Sequence, residues 1–299
     1  MNSVLDIIGN TPMIELRQIC SGKGAGIFAK CEFMNPSGSL KDRMAKYIIQ
    51  KAEERGELKP GSTILEVSSG NTGIAFAMIG AAKGYRVVIM LPKTVSVERR
   101  KIITSLGAEL ILIDDLLSMQ DAIKEAEEMA ERDAMIFLPR QFSNPDNPAA
   151  QYSSLGREIL SQIRNRVDAF VMGVGTGGTL MGAGRALKEA FPEIKIVAVE
   201  PAESAMLSGE TPGPHGIQGL VDGFIPEIVD LEFIDEIIKV KTDEAIKMSH
   251  RLAKEEGLLV GISAGANVLA SLDLAGGSEK VETIVTILPD TGTRYLSLS

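Results

Sequence analysis

At 299 residues the chain exceeds one typical domain, and 44% hydrophobic content is ample for the cores of two α/β lobes. A net charge of −9 with no Lys/Arg-rich block argues against nucleic acid or an anionic membrane as the main partner; Arg99-Arg100-Lys101 reads as a solvated helix face. No apolar run reaches the ~18 residues of a membrane span and the N-terminus lacks a signal peptide's layout, so a cytoplasmic protein is expected.

Cys20 and Cys31 stand in no metal-type spacing and read as reduced thiols, and His215 and His250 are far apart, His250 reading as a structural residue of a helix. A metal site is therefore not expected. Proton transfer falls to lysine, a carboxylate, tyrosine or a cofactor.

In chain order, the turn Gly9-Asn-Thr-Pro12 precedes an apolar run Met13 to Leu16, and Gly26 to Phe33 predicts a strand. Asn35-Pro-Ser-Gly-Ser-Leu-Lys-Asp-Arg43 opens as a turn and closes as a helix start, Ser39 reading as N-cap with Asp42 as its capping-box partner. The helix runs from Leu40 to about Arg55, with Lys41 in its first turn. That end of a helix favours acids, so the cation is electrostatically misplaced. A lysine driven toward its neutral amine can attack a carbonyl; a surface lysine beside Asp42 and Arg43 is the plain alternative.

Strands are then predicted at Thr63–Val67, Arg86–Leu91, Glu109–Ile113 and Ala134–Leu138, with helices at about Ile74–Lys83, Val97–Leu106 and Ser118–Arg132. Asn144-Pro-Asp-Asn-Pro148 is the best boundary candidate. After it come helix Ala149–Ile163, strand Ala169–Gly173, helix Leu180–Ala190 and strand Lys195–Val199. A long aperiodic loop, Glu203 to Pro226, leads to strand Ile237–Val240, helices Asp243–Glu256 and Ala264–Leu272, and strand Thr283–Leu288. Such alternation predicts parallel sheets covered by helices on both faces.

Three turns carry the candidate chemistry. Ser68-Ser-Gly-Asn-Thr-Gly73 gathers amides and hydroxyls at a helix start, which suits a carboxylate or phosphate as well as ordinary capping. Gly173-Val-Gly-Thr-Gly-Gly-Thr179 contains a literal G-x-G-x-x-G, and Glu200 closes the next strand, as a dinucleotide fingerprint requires. Thr176 and Thr179 equally suit a phosphate monoester, so the motif alone indicates phosphate. Gly261-Ile-Ser-Ala-Gly-Ala266 opens a helix, with Ser263 most simply an N-cap.

Taken together and in order, these turns, with Gly9-Asn-Thr-Pro12 and Leu288-Pro-Asp-Thr-Gly292, resemble the cysteine synthase (O-acetylserine sulfhydrylase) family of fold-type-II pyridoxal-phosphate enzymes over nearly the whole chain. The resemblance implies two doubly wound α/β lobes with mostly parallel sheets, as in tryptophan synthase β. The smaller lobe would span 35–142 plus 1–12, and the larger 13–34 and 143–299. It implies pyridoxal 5'-phosphate held by Lys41 as a Schiff base, Asn71 on the ring hydroxyl, Gly175, Thr176, Gly177, Gly178 and Thr179 on the phosphate, and Ser263 at the pyridine nitrogen. Ser68, Ser69, Gly70, Asn71, Thr72 and Gln141 would receive the substrate carboxylate. The implied reaction converts O-acetyl-L-serine and sulfide to L-cysteine and acetate through an aminoacrylate, in a homodimer that can partner a serine acetyltransferase.

Departures from the family pattern bear on the substrate. Ser68 replaces a threonine common in relatives, Gln151-Tyr-Ser-Ser-Leu-Gly-Arg157 replaces a His-x-x-Thr-Thr-Gly-Pro run, and Gly219-Leu-Val-Asp-Gly223 replaces a Gly-Ile-Gly-Ala-Gly loop. Phosphoserine-using relatives bring an arginine to that last region. Here the nearest match is Gln218, with Asp222 close by, which favours O-acetylserine. The rivals are O-phosphoserine sulfhydrylation, cystathionine or cyanoalanine synthesis, serine/threonine dehydration, a dinucleotide-dependent oxidoreductase built on Gly173 to Gly178, and a non-enzymatic sensor.

Overall fold

The computed structural model describes residues 3–21, 24–68, 70–113, 118–220, 223–277 and 281–298. Its ten strands are β1 (Met13–Glu15), β2 (Gly26–Cys31), β3 (Thr63–Val67), β4 (Arg86–Pro92), β5 (Glu109–Ile113), β6 (Ile136–Phe137), β7 (Ala169–Gly173), β8 (Lys195–Pro201), β9 (Glu236–Val240) and β10 (Thr283–Leu288). The helices are α1 (Lys41–Glu54), α2 (Asn71–Lys83), α3 (Val97–Ser105), α4 (Met119–Arg132), α5 (Asp146–Gln151), α6 (Arg157–Gln162), α7 (Gly178–Ala190), α8 (Thr242–Glu255) and α9 (Ile262–Ala275).

Two sheets organise the chain, ordered β1-β2-β10-β7-β8-β9 and β5-β4-β3-β6. Every pairing is parallel except β1 with β2. Both faces are covered, so strands alternate between two apolar cores: Ala169 and Val171 of β7 face one, Phe170 and Met172 the other. In the second sheet Ile64 of β3 faces one core, and Leu65 and Val67 the other.

In each sheet the order reverses once, between β3 and β6 and between β7 and β10. The crevice beyond the strand ends at such a reversal is where α/β sheets bind ligands. The turn after β3 begins at Ser68, Gln141 follows β6, the glycine-rich turn follows β7, and Pro289-Asp290 follows β10. The candidate residues are thus the products of two switch points.

Most elements fall where the pattern predicts; four differences are informative. Helix α1 is capped by Leu40, not Ser39, and Asp42 turns away to accept from the Ser37 amide at 2.7 Å. Helix α2 starts at Asn71 because the Ser68 hydroxyl accepts from the amides of Gly70 (3.0 Å) and Gly73 (3.1 Å), drawing the turn into the helix. The stretch expected as one helix from Ala149 starts at Asp146 and widens into a π-turn at Tyr152–Gly156. There the hydroxyls of Ser153 and Ser154 donate back to the carbonyls of Ala149 and Ala150, a bond that bends helices. Strand β6 shrinks to two residues at a sheet edge.

Among the described residues no helix is long and apolar enough to cross a membrane, and no cluster of His, Cys, Asp and Glu could hold a metal ion. Neither cysteine forms a disulfide and both are buried, and His250 is exposed on α8.

Candidate active site

Lys41 owes its place to backbone bonds from the end of β10. Ser39 bridges Asp290, the Leu40 amide donates to the Pro289 carbonyl at 2.9 Å, and the Thr291 amide donates to the Gly38 carbonyl at 3.2 Å. The Lys41 amide donates to the Ser39 hydroxyl at 3.3 Å, which is all that remains of the expected cap. Behind the helix start lies a buried charge cluster. Arg43 grips Glu32 through two bonds of 2.7 and 2.8 Å and reaches Glu158 at 2.6 Å, Lys30 reaches Glu158 at 2.7 Å, and Thr11 donates to Glu32 at 2.6 Å. This cluster is the physical reason for Thr11 and Arg43 in their turns.

Lys41, Asn71, Gly175, Thr176, Gly177, Thr179, Ser263 and Gln218 line one cavity. A contiguous one adds Ser68, Thr72, Gln141 and Arg99 to Lys41 and Asn71. Gly70 is α2's cap, Gly178 opens α7, and Ser69 lies outside the described residues. Ser263 is not the cap of α9: that position is Gly261, and Ser263 lies one residue inside the helix at 5% exposure.

The turn after β7 fits a phosphate. Thirteen residues of α7 point their N-terminus at it, where unbonded amides and the helix dipole favour an anion. Gly177 holds φ of 85°, a conformation that disfavours side chains, and a Cβ on Gly178 would lie 1.9 Å from Asn147 Oδ1. Asn147 Nδ2 donates to the Gln141 carbonyl at 2.8 Å and to Thr176 Oγ1 at 2.9 Å, tying the turn to the segment beyond β6. With Lys41 and a neutral hydroxyl at Ser263 in the same cavity, the donor set fits pyridoxal phosphate. A dinucleotide would need Glu200 on its ribose, but that carboxylate is fully buried and accepts from Leu207 and Ser208.

Several residues escaped the pattern. Asn71 Nδ2 donates to Asp290 Oδ2 at 2.7 Å, its Oδ1 accepts from Arg294, and Tyr295 also donates to Asp290, at 2.6 Å. Burial and the Asp290 charge push the Tyr295 phenol up, and burial pulls the Arg294 guanidinium down. Arg99 corrects the reading of a solvated basic face: it is 2% exposed, donates to Gln218 Oε1 and to Tyr295 at 2.8 Å, and stacks over the Tyr295 ring. The signal was its spacing, four residues before buried Ile103 on the apolar stripe of α3. An arginine therefore does stand beside Gln218, supplied from a distant helix. Asp222 lies outside the described residues.

Residues 4–290 match the family described as pyridoxal-phosphate dependent enzyme. The chain belongs to that family. A cysteine synthase of Staphylococcus aureus is 48% identical over 298 residues, covering 99% of this chain and 96% of that protein. Among pyridoxal-phosphate dependent enzymes of known structure, cysteine synthase from Entamoeba histolytica superposes with a TM-score of 0.94 at 46% identity, covering 99% of this chain and 89% of that one. O-ureido-L-serine synthase superposes with a TM-score of 0.95 at 44% identity, covering 99% and 94%.

Proposed function

We propose that this pyridoxal-phosphate enzyme catalyses β-replacement, making L-cysteine from O-acetyl-L-serine and sulfide with release of acetate. The observation that carries this reading is the convergence of Lys41, Asn71, the Gly175–Thr179 turn and Ser263 on one cavity. When bound, the cofactor supplies an electron sink for a deprotonated amino-acid Cα. Lys41 would hold the cofactor's carbonyl carbon, and its amine would take the proton from the substrate Cα and return it. Asn71 would bond the ring hydroxyl, and the glycine turn with Thr176 and Thr179 would hold the phosphate. Ser263 would meet the pyridine nitrogen as a neutral hydroxyl, which would not force that nitrogen to stay protonated and so would favour loss of the β-substituent. Ser68, Thr72 and Gln141 receive the substrate carboxylate.

The sheet arrangement supports two lobes, of about residues 35–142 with 1–12 and of 13–34 with 143–299, that close on the carboxylate. A cytoplasmic homodimer, with a serine acetyltransferase as a possible partner, fits the same reading. A second reading is favoured by Arg99: a guanidinium bonded to Gln218 in the substrate cavity suits a leaving group that carries charge, as in O-phosphoserine. Turnover of O-acetylserine, O-phosphoserine and serine, each with sulfide, tests both. Fastest cysteine formation from O-acetylserine is expected, and no cysteine from any of them would overturn the proposal.

A further inference from the structure

Strand β3 carries one acid among Ile, Leu and Val. Glu66 is 4% exposed; its Oε1 accepts from Gln141 Nε2 at 3.1 Å, and its Oε2 has no hydrogen-bond partner. Among the described residues no cation pairs with it. From α4 and from the segment after β6, Glu127 and Arg140 line the same small cavity as Glu66, but they pair with each other at 3.6 Å. The facing start of α2 offers neutral Asn71 and Thr72, β6 is apolar, the charged end of β4 is Arg86, exposed and bound to Glu109, and Lys41 lies across the substrate cavity that Gln141 lines. A carboxylate whose donors, the Gln141 amide and the Val67 backbone, are both neutral and that has no counter-charge is disfavoured in its ionised form, and burial pushes Glu66 up to about 8 against those two bonds.

Gln141 is committed on both sides. Its nitrogen donates to Glu66 and to the Val67 carbonyl at 2.9 Å, and its oxygen accepts from Thr72 Oγ1 at 2.7 Å. Both of its N–H groups therefore point away from the cavity, while a substrate carboxylate needs donors. Reversing the amide in place would set its oxygen against the Val67 carbonyl, so the nitrogen reaches a ligand only by giving up one of its two acceptors, of which Glu66 is the ionisable one. An ionised acceptor holds an N–H roughly twice as strongly as a neutral one.

We propose that Glu66 is a positioning residue that holds Gln141 turned from the cavity, and that its uncharged form is what permits the Gln141 amide to swing to the substrate carboxylate. The proposal rests on Gln141 as the carboxylate's partner. It predicts that amino-acid binding weakens as Glu66 ionises, whereas Glu66→Gln keeps the neutral acceptor at every pH.

The test is the affinity of the cofactor-loaded enzyme for L-alanine, which has no leaving group, read from the visible band between pH 6.5 and 9.5. Wild type, Glu66→Gln and Gln141→Ala are compared. Wild-type affinity is expected to fall about tenfold more than that of Glu66→Gln across the range, and Gln141→Ala is expected to bind weakly throughout without that limb. Parallel profiles for wild type and Glu66→Gln, with Gln141→Ala weakened, would overturn the role of Glu66 and leave that of Gln141 standing. Wild-type affinity in Gln141→Ala would overturn both. Should Glu66→Gln not fold, wild type against Gln141→Ala decides: a limb of equal size in both contradicts the proposal.

Discussion

Asn71 donates to the Asp290 carboxylate at 2.7 Å, so the first residue of α2 is aimed by the turn that follows β10. The same carboxylate accepts from Tyr295 and stands 3.8 Å from Arg99. Removing it leaves Asn71 unaimed and a buried guanidinium without its nearest acid. Asp290→Ala should cost about 3–5 kcal/mol of stability and weaken cofactor retention. Urea unfolding and a spectroscopic pyridoxal phosphate titration check the two effects, and unchanged retention would show that Asp290 does not orient Asn71.

Gly177→Asp places a side chain where φ is 85° and a Cβ within 2.4 Å of Val229, and it brings a negative charge to the end of α7 that favours anions. Cofactor affinity should fall at least tenfold. Equilibrium dialysis against pyridoxal phosphate measures it, and retention at wild-type strength would contradict the phosphate role of this turn.

How far the sequence carried differs between backbone and side-chain networks. Strands β3, β7 and β10 lie where their apolar runs are, because a strand buried on both faces is written as a continuous run. The turns at Ser68 and Gly173 were legible for the same reason: small residues cluster where a strand stops and a helix begins. The pairing of Asp290, Tyr295 and Arg99 with one another was not, because Arg99 and the Asp290–Tyr295 segment come from separate stretches of the chain and local pattern carries no long-range pairing. Ser39 and Ser263 misled in the opposite direction. Each resembles a cap by composition, yet tertiary bonds to Pro289 and the position of Gly261 shift the helix starts by one or two residues.

Glu158 gives an acid limb to stability. Burial alone would raise its carboxyl, but hydrogen bonds and charge from Arg43 and a bond from Lys30 hold it down at about 2, against an ordinary 4.5. A depressed carboxyl stabilises the folded state in full above its unfolded value and loses that stabilisation as pH falls through its folded one. The stability gap between wild type and Glu158→Gln should therefore be constant near neutrality and close between about pH 4.5 and 2. Urea midpoints across that range check it, and a gap that persists at pH 2 would contradict the pairing.

Arg99 bears on which activated serine is used. If its guanidinium meets a charged leaving group, Arg99→Gln should lower kcat/KM for O-phosphoserine about tenfold or more beyond any loss with O-acetylserine, as expected for a charged hydrogen bond. Steady-state kinetics with both substrates measures the ratio. Equal losses would remove the second reading and leave Arg99 as a structural link between α3, Gln218 and Tyr295.

The most direct test of the central claim is borohydride reduction of the cofactor-loaded protein, followed by proteolysis and mass mapping. A pyridoxyl label on Lys41 alone is predicted, with Lys41→Ala unlabelled and inactive. A label on any other lysine, or none in a protein that still turns over O-acetylserine, would contradict it.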